Sequence, residues 1–163
     1  MTLRVAFYKG RSRPFNLLVS WKMDGPYSHT EAVLGANPIS GLMTCASSSF
    51  MDGGVRFKDI ELEADRWDII EVPGVDPERV AQWFRAHKDL PYDVRGLVSF
   101  IVPVGNTPNG YFCNEAVGAA MGLPEPHRFD PNSFACVLER LGGVWVQGGP
   151  PWAQNAAALP VPS

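Results

Sequence analysis

Apolar and polar residues alternate along the first half of the chain and recur at helical spacing in the second. Leu3-Arg4-Val5-Ala6-Phe7-Tyr8 reads as a short strand closed by Lys9-Gly10. His29 to Leu34 reads as another strand, Gly35 to Gly41 as a turn, and Leu42 to Ser47 as the antiparallel partner. Two more strands are predicted around Val55-Arg56-Phe57 and Trp67 to Val72. The stretch 15–21 stays open: Phe15, Leu18 and Trp21 recur at helical spacing, while Leu17-Leu18-Val19 would suit a buried strand.

Helices follow. Asp76-Pro77-Glu78 supplies an N-cap, a first-turn proline and a first-turn acid, and Val80, Trp83, Phe84 and His87 continue one face. Asp130-Pro131-Asn132 announces another helix, with Phe134, Val137, Leu138 and Leu141 as its apolar stripe and Gly142-Gly143 as its stop. Between them a less regular region, through Gly105 to Gly110, delivers the chain to Cys113 at the head of an apolar run. We read one domain over 1–143 and a proline- and alanine-rich tail over 144–163, ordered only if Trp152 docks. No internal repeat is visible.

Composition narrows the field. At 163 residues and 45% hydrophobic, the chain can bury one sizeable core. Its formal charge of −3, with no basic cluster, argues against nucleic acid as a partner. No apolar run approaches the roughly 18 residues of a membrane span, and Met1 to Val5 lacks the apolar region of a signal peptide. Neither stable membrane insertion nor a leader is therefore expected, and synthesis is placed in the cytoplasm. Three widely spaced cysteines, Cys45, Cys113 and Cys136, argue against a disulfide framework and fit a reducing compartment. No Cys-x-x-Cys or His-x-x-x-His spacing suggests a metal, and no cofactor is implied.

The chemistry concentrates in two segments, Tyr27-Ser28-His29-Thr30-Glu31 and Gly110-Tyr111-Phe112-Cys113-Asn114-Glu115. A cysteine that opens a helix meets unpaired N–H groups and the positive end of the helix dipole, which favour the attacking thiolate. Cys113 is thus a candidate nucleophile and His29 a candidate base. Strand alternation puts His29 and Glu31 on one face. If Leu34 pairs with Leu42, Glu31 lies opposite Cys45 and His29 opposite Ser47; a register shifted by one pair sets His29 against Cys45. Against this stand bland alternatives: a histidine capping a strand edge, a solvated glutamate, and a cysteine that is merely a small buried hydrophobe. Cys136, inside the stripe of the last helix, is best explained as such a buried cysteine. His87 and His127 read as a helix-face and a surface residue.

Leu90-Pro91-Tyr92-Asp93 followed by Asn109 to Glu115 resembles the segment of NlpC-like cell-wall peptidases in which a Pro-Tyr pair precedes a glycine, an aromatic and the nucleophilic cysteine. His29 ahead of the cysteine resembles the circularly permuted branch of that papain-like superfamily. Tyr27 to Glu31, Cys45-Ala46-Ser47-Ser48-Ser49 and Asp52-Gly53-Gly54-Val55-Arg56-Phe57 look like small phage-encoded proteins of the permuted type. The likeness covers roughly Leu3 to Gly143.

The resemblance implies a papain-like α+β fold, an antiparallel sheet packed against the helix that carries Cys113. It implies Cys113 as nucleophile, His29 as base and Tyr92 on the oxyanion or substrate side, acting on an amide bond, with peptidoglycan stem peptides favoured. It also places the product in a host cytoplasm or a phage particle. The family's third polar position falls near Cys45, a poor group for orienting an imidazole, so Glu31 or Ser47 are the available substitutes, and we favour Glu31. Asn114 stands where serine is commoner. A thioesterase or acyltransferase on lipid-linked substrates, with Leu97 to Val104 lining an apolar groove, and a non-catalytic virion-associated scaffold remain as alternatives.

Overall fold

A computed structural model describes residues 1–9, 25–94 and 110–156. Both the ambiguous 15–21 stretch and the apolar 97–104 segment lie outside the described residues. The architecture is α+β. Six strands form one antiparallel sheet: β1 (Thr2–Tyr8), β2 (His29–Ala36), β3 (Met43–Ser49), β4 (Gly54–Ile60), β5 (Trp67–Pro73) and β6 (Val144–Gln147), in the order β4-β3-β2-β1-β5-β6. Among the described residues, helices α1 (Pro77–Ala86), α2 (Cys113–Ala120), α3 (Pro131–Arg140) and the short α4 (Pro151–Ala156) accompany it, with a 3₁₀ turn at Pro126–Arg128.

Alternation along β1 buries Leu3, Val5 and Phe7 in the main core, where they meet Ile70 and Val72 of β5, Val80 and Phe84 of α1, Ala116 and Val117 of α2, and Phe134 and Leu138 of α3. Each such side chain contributes about 1.5–3 kcal/mol when removed from water, so this layer fixes which face the helices cover. The opposite face carries a smaller cluster of Ala6, Val33, Cys45 and Trp67.

Helix starts follow the sequence signals. Asp76 accepts the Glu78 N–H at 3.0 Å, and Asp130 accepts those of Asn132 and Ser133 at 2.8 and 3.1 Å. Asn132 then does something the sequence did not announce. Its amide oxygen accepts the Tyr27 N–H at 3.0 Å while its NH₂ donates to the Tyr27 carbonyl at 3.2 Å, so the start of α3 holds the chain two residues ahead of His29.

Three expectations need correction. Val33, not Glu31, is the partner of Cys45, because the hairpin pairs Ala36 with Met43 next to the turn rather than Leu34 with Leu42. The chain from 144, read as a tail, instead extends the sheet: β6 pairs with β5, Trp145 stacks 6.1 Å from the Tyr27 ring, and Trp152 lies edge-on to the same ring at 6.4 Å. Cys136 is exposed rather than buried. It sits two residues beyond Phe134, about 200° around the helix and therefore off the apolar stripe.

Candidate active site

Cys113 is the first residue of α2, a helix that packs across β2 and β3, and its side chain is almost wholly enclosed at 5% exposure. Phe112 precedes it in extended conformation, and its N–H is accepted by Glu115 Oε2 at 3.3 Å, one orphan donor of the helix start satisfied. Asn114 is buried completely. Its NH₂ donates to the Phe129 carbonyl, anchoring the helix start to the loop before α3, and its oxygen accepts the Cys113 thiol at 3.6 Å.

His29 opens β2, and its side chain is close enough to Cys113 for the two to interact electrostatically. Its Nε2 lies 2.7 Å from Glu31 Oε1, which leaves Nδ1 as the ring nitrogen for the sulfur. The spacing of neighbours two apart on a strand requires the glutamate to lean back along β2, and it does. Glu31 itself is fully buried, and its carboxylate is gripped by Arg56 of β4, Nη1 to Oε2 at 2.7 Å and Nη2 to Oε1 at 2.5 Å. Arg56 also donates through Nε to Asp52 at 2.9 Å, and Lys58 donates to the same carboxylate at 3.0 Å. Sequence reasoning missed Arg56.

These contacts decide protonation. Burial alone would strip His29 of its proton, yet the interactions with Cys113 and Glu31 outweigh it and raise its pKa to about 9. Burial would likewise push Glu31 up, but the bonds from Arg56 and His29 hold its carboxyl below the usual range. Imidazolium and carboxylate are therefore the resting forms at neutral pH.

A strap of chain places Tyr92 beside this group. The Val55 N–H donates to Leu90 O at 2.9 Å, Tyr111 N–H to Pro91 O at 3.2 Å and Asp93 N–H to Tyr111 O at 3.1 Å. Gly110 permits the approach, since a Cβ there would stand 3.2 Å from both Asp93 Cα and Pro91 O. Burial first, then charge at Cys113, Asp93 and Glu115, raises the Tyr92 phenol well above its ordinary pKa, so it keeps its proton and remains a donor. Glu115 is pushed up to about 7, chiefly by burial, with the Phe112 N–H opposing and Asp93 adding to the rise.

The other sequence candidates fall elsewhere. Ser47 is buried, and its hydroxyl donates to the Thr30 carbonyl at 2.6 Å instead of facing His29. Cys45 is enclosed in the smaller cluster, where burial drives its thiol pKa far up. Among the described residues no three His, Cys, Asp or Glu side chains converge as metal ligands, and no helix is long and apolar enough to cross a membrane. No protein-family model matches the chain, and no curated protein matches it.

Proposed function

We propose that the protein is a cysteine hydrolase that cleaves an amide bond through an acyl-enzyme, with a permuted papain-like arrangement and peptidoglycan stem peptides as the favoured substrate class. The observation that carries this reading is the single imidazole that is bonded to the Glu31 carboxylate and interacts with Cys113 at the head of its helix. A thiol at a helix start, a histidine against it and an anion fixing that histidine form the minimal set for acyl transfer. A helix headed by the cysteine and packed across antiparallel strands, one of them headed by the histidine, supports the papain-like reading.

The steps follow from the contacts. The Cys113–His29 pair reacts as thiolate and imidazolium, the proton already on the ring, and the sulfur adds to the carbonyl carbon. The oxyanion is met by the Cys113 backbone N–H, which has no acceptor within the helix, and by the Tyr92 hydroxyl. His29 then passes its proton to the departing amine, leaving a thioester. Part of what raises the His29 pKa is its contact with Cys113, and that part vanishes once the sulfur is acylated. The imidazole thereby becomes a better match for taking a proton from water, which attacks the thioester, frees the acid and returns the thiol.

A second reading, acyl transfer from an apolar thioester or ester, has one observation in its favour. Phe50 lies edge-on to Tyr92 at 5.9 Å, Val94 donates its N–H to the Tyr92 carbonyl, and both Phe50 and Val94 are exposed apolar side chains. The test is intact-mass analysis after mixing the protein with stem-peptide fragments or with a medium-chain acyl thioester. An acyl adduct on Cys113, absent in Cys113→Ser, with release of a new amine from the peptide supports the amidase. An adduct from the thioester alone selects the second reading. Failure of both substrates to acylate Cys113 or turn over would overturn the hydrolase assignment.

A further inference from the structure

Glu31 and Arg56 belong to strands that are not neighbours. β3 lies between them, and adjacent strands stand about 4.8 Å apart, so the pair must reach across roughly 10 Å of sheet. Ser47 is the residue on β3 that pairs with Arg56, and its short side chain is turned to the Thr30 carbonyl. A longer side chain there would fill the path that the guanidinium crosses. Arg56 arrives with both ends held, Nε on Asp52 of the β3–β4 turn and Nη1 and Nη2 on the two oxygens of Glu31. It is only 13% exposed at the side chain, and Glu31 is wholly enclosed.

We propose that Arg56 is a positioning residue of the site, its fork holding the Glu31 carboxylate by both oxygens so that Oε1 is presented to His29 in one orientation. The inference rests on the reading of His29 as the partner of Cys113. A carboxylate held through both oxygens has lost its rotation about the terminal bond, and the ring nitrogen facing it is held with it. Lysine would place a comparable charge at the end of β4 but, as a single point donor, would leave one Glu31 oxygen unheld. Arg56 also balances the anion. Without it, loss of the His29 proton would leave Glu31 as an unopposed buried charge, and the proton would be retained to higher pH. The charged groups around the pair are Cys113 and Glu31 on the imidazole, and Asp52 and Lys58 behind Arg56.

The experiment uses the full-length protein and two readouts that need no substrate: the His29 ring proton titration by NMR, and the rate of Cys113 carbamidomethylation by iodoacetamide at pH 6, followed by peptide mass mapping. Arg56→Met is expected to move the His29 midpoint upward by about one unit or more and to slow labelling. Arg56→Lys is expected to keep the midpoint near that of the wild type yet slow labelling several-fold, because charge survives and the fork does not. Lys58→Ala, which removes an exposed partner of Asp52, is expected to change neither. If Arg56→Met or Arg56→Lys lowers stability with both readouts unmoved, the residue is structural only and the proposal is overturned. Should Arg56→Met not fold, Arg56→Lys decides through its labelling rate, a wild-type rate overturning the proposal. A protein that turns over no substrate would count against the hydrolase reading alone, since both readouts still report on Arg56.

Discussion

His29 Nε2 stands 2.7 Å from Glu31 Oε1, two residues along the same strand, while the same ring interacts with Cys113. The imidazole is thus held between an anion and a sulfur, and its orientation is set by the strand that carries both polar residues. Neighbours i and i+2 on a strand keep a fixed separation, so the contact is insensitive to loop motion. Function is thereby tied to the integrity of β2.

Cys113 should be the thiol most readily alkylated at mildly acidic pH. The imidazolium beside it favours attack, whereas Cys45 is sealed in an apolar cluster. Cys136 is exposed and supplies an internal reference for an ordinary surface thiol. Brief iodoacetamide treatment at pH 6 with mass mapping should label Cys113 ahead of Cys136 and leave Cys45 unmodified in the folded protein. His29→Ala should remove the advantage of Cys113 over Cys136; a persisting advantage would assign it to the helix start alone.

Any hydrolysis found should be lost in Cys113→Ser and in His29→Ala, by about 10³-fold or more each, with the double variant no worse than the singles. Groups that work as one unit do not add. Steady-state assays on the three variants test this, and near-wild-type activity in His29→Ala would mean another base.

Glu31→Gln and Cys45→Ser should separate orientation from packing. The glutamine leaves Arg56 facing a neutral group in a buried place, so stability falls by about 3–5 kcal/mol along with the rate. The cost to folding exceeds what an exposed strand glutamate would give. Cys45→Ser puts a hydroxyl among Ala6, Val33 and Trp67 and should lower stability by about 1–3 kcal/mol with no change in kcat. Denaturant unfolding alongside activity distinguishes the two, and a rate lost in Cys45→Ser would make Cys45, not Glu31, the third group of the site.

The alternation of Leu3, Val5 and Phe7 and the proline-capped starts of α1 and α3 make much of the fold legible in the chain itself. The His29–Glu31 face and the position of Cys113 at a helix head were legible for the same reason, since both depend on local period. What the sequence hid was non-local. The β2–β3 hairpin pairs Ala36 with Met43 rather than Leu34 with Leu42, a choice of register that no period-2 pattern displays, and it sets Cys45 against Val33 instead of Glu31. Arg56 gave no sign of its partner because that partner lies two strands away; the small Ser47 opposite it was the available hint. β6 was readable in the β-branched Val144 and Val146 around Trp145, but the prolines that follow drew the reading toward a tail.

Two linked pH effects should bracket stability. The His29 pKa is raised, so its contribution is fully present below about 6.5 and is lost as pH rises through about 9. The Glu31 pKa is lowered, so its contribution is present above about 4.5 and is lost as pH falls below that. Urea unfolding of the wild type against His29→Ala from pH 5 to 10 should show the difference between them shrinking between pH 6.5 and 9 or a little beyond. A constant difference would place His29 outside any ion pair.

Glu115 runs the other way from Glu31. Its carboxyl is buried at the first turn of α2, near Asp93 and Tyr92, and accepts the Phe112 N–H, and its pKa is raised to about 7. The folded state therefore holds this proton more tightly than the unfolded chain, and stability from it falls as pH climbs from about 4.5 through 7, levelling off above. Glutamine keeps an oxygen for the Phe112 N–H and removes the ionisation. Glu115→Gln should accordingly match the wild type near pH 4.5 and exceed it by about 1–2 kcal/mol at pH 8. The same substitution removes an anion that forms near Tyr92 as pH passes 7, so a rate that declines above neutrality in the wild type should decline less in the variant. Paired unfolding curves and kcat/KM profiles between pH 5 and 8.5 test both parts. Parallel stability profiles for the two proteins would show that the Glu115 proton is not linked to folding, and the expected relief of the rate would go with it.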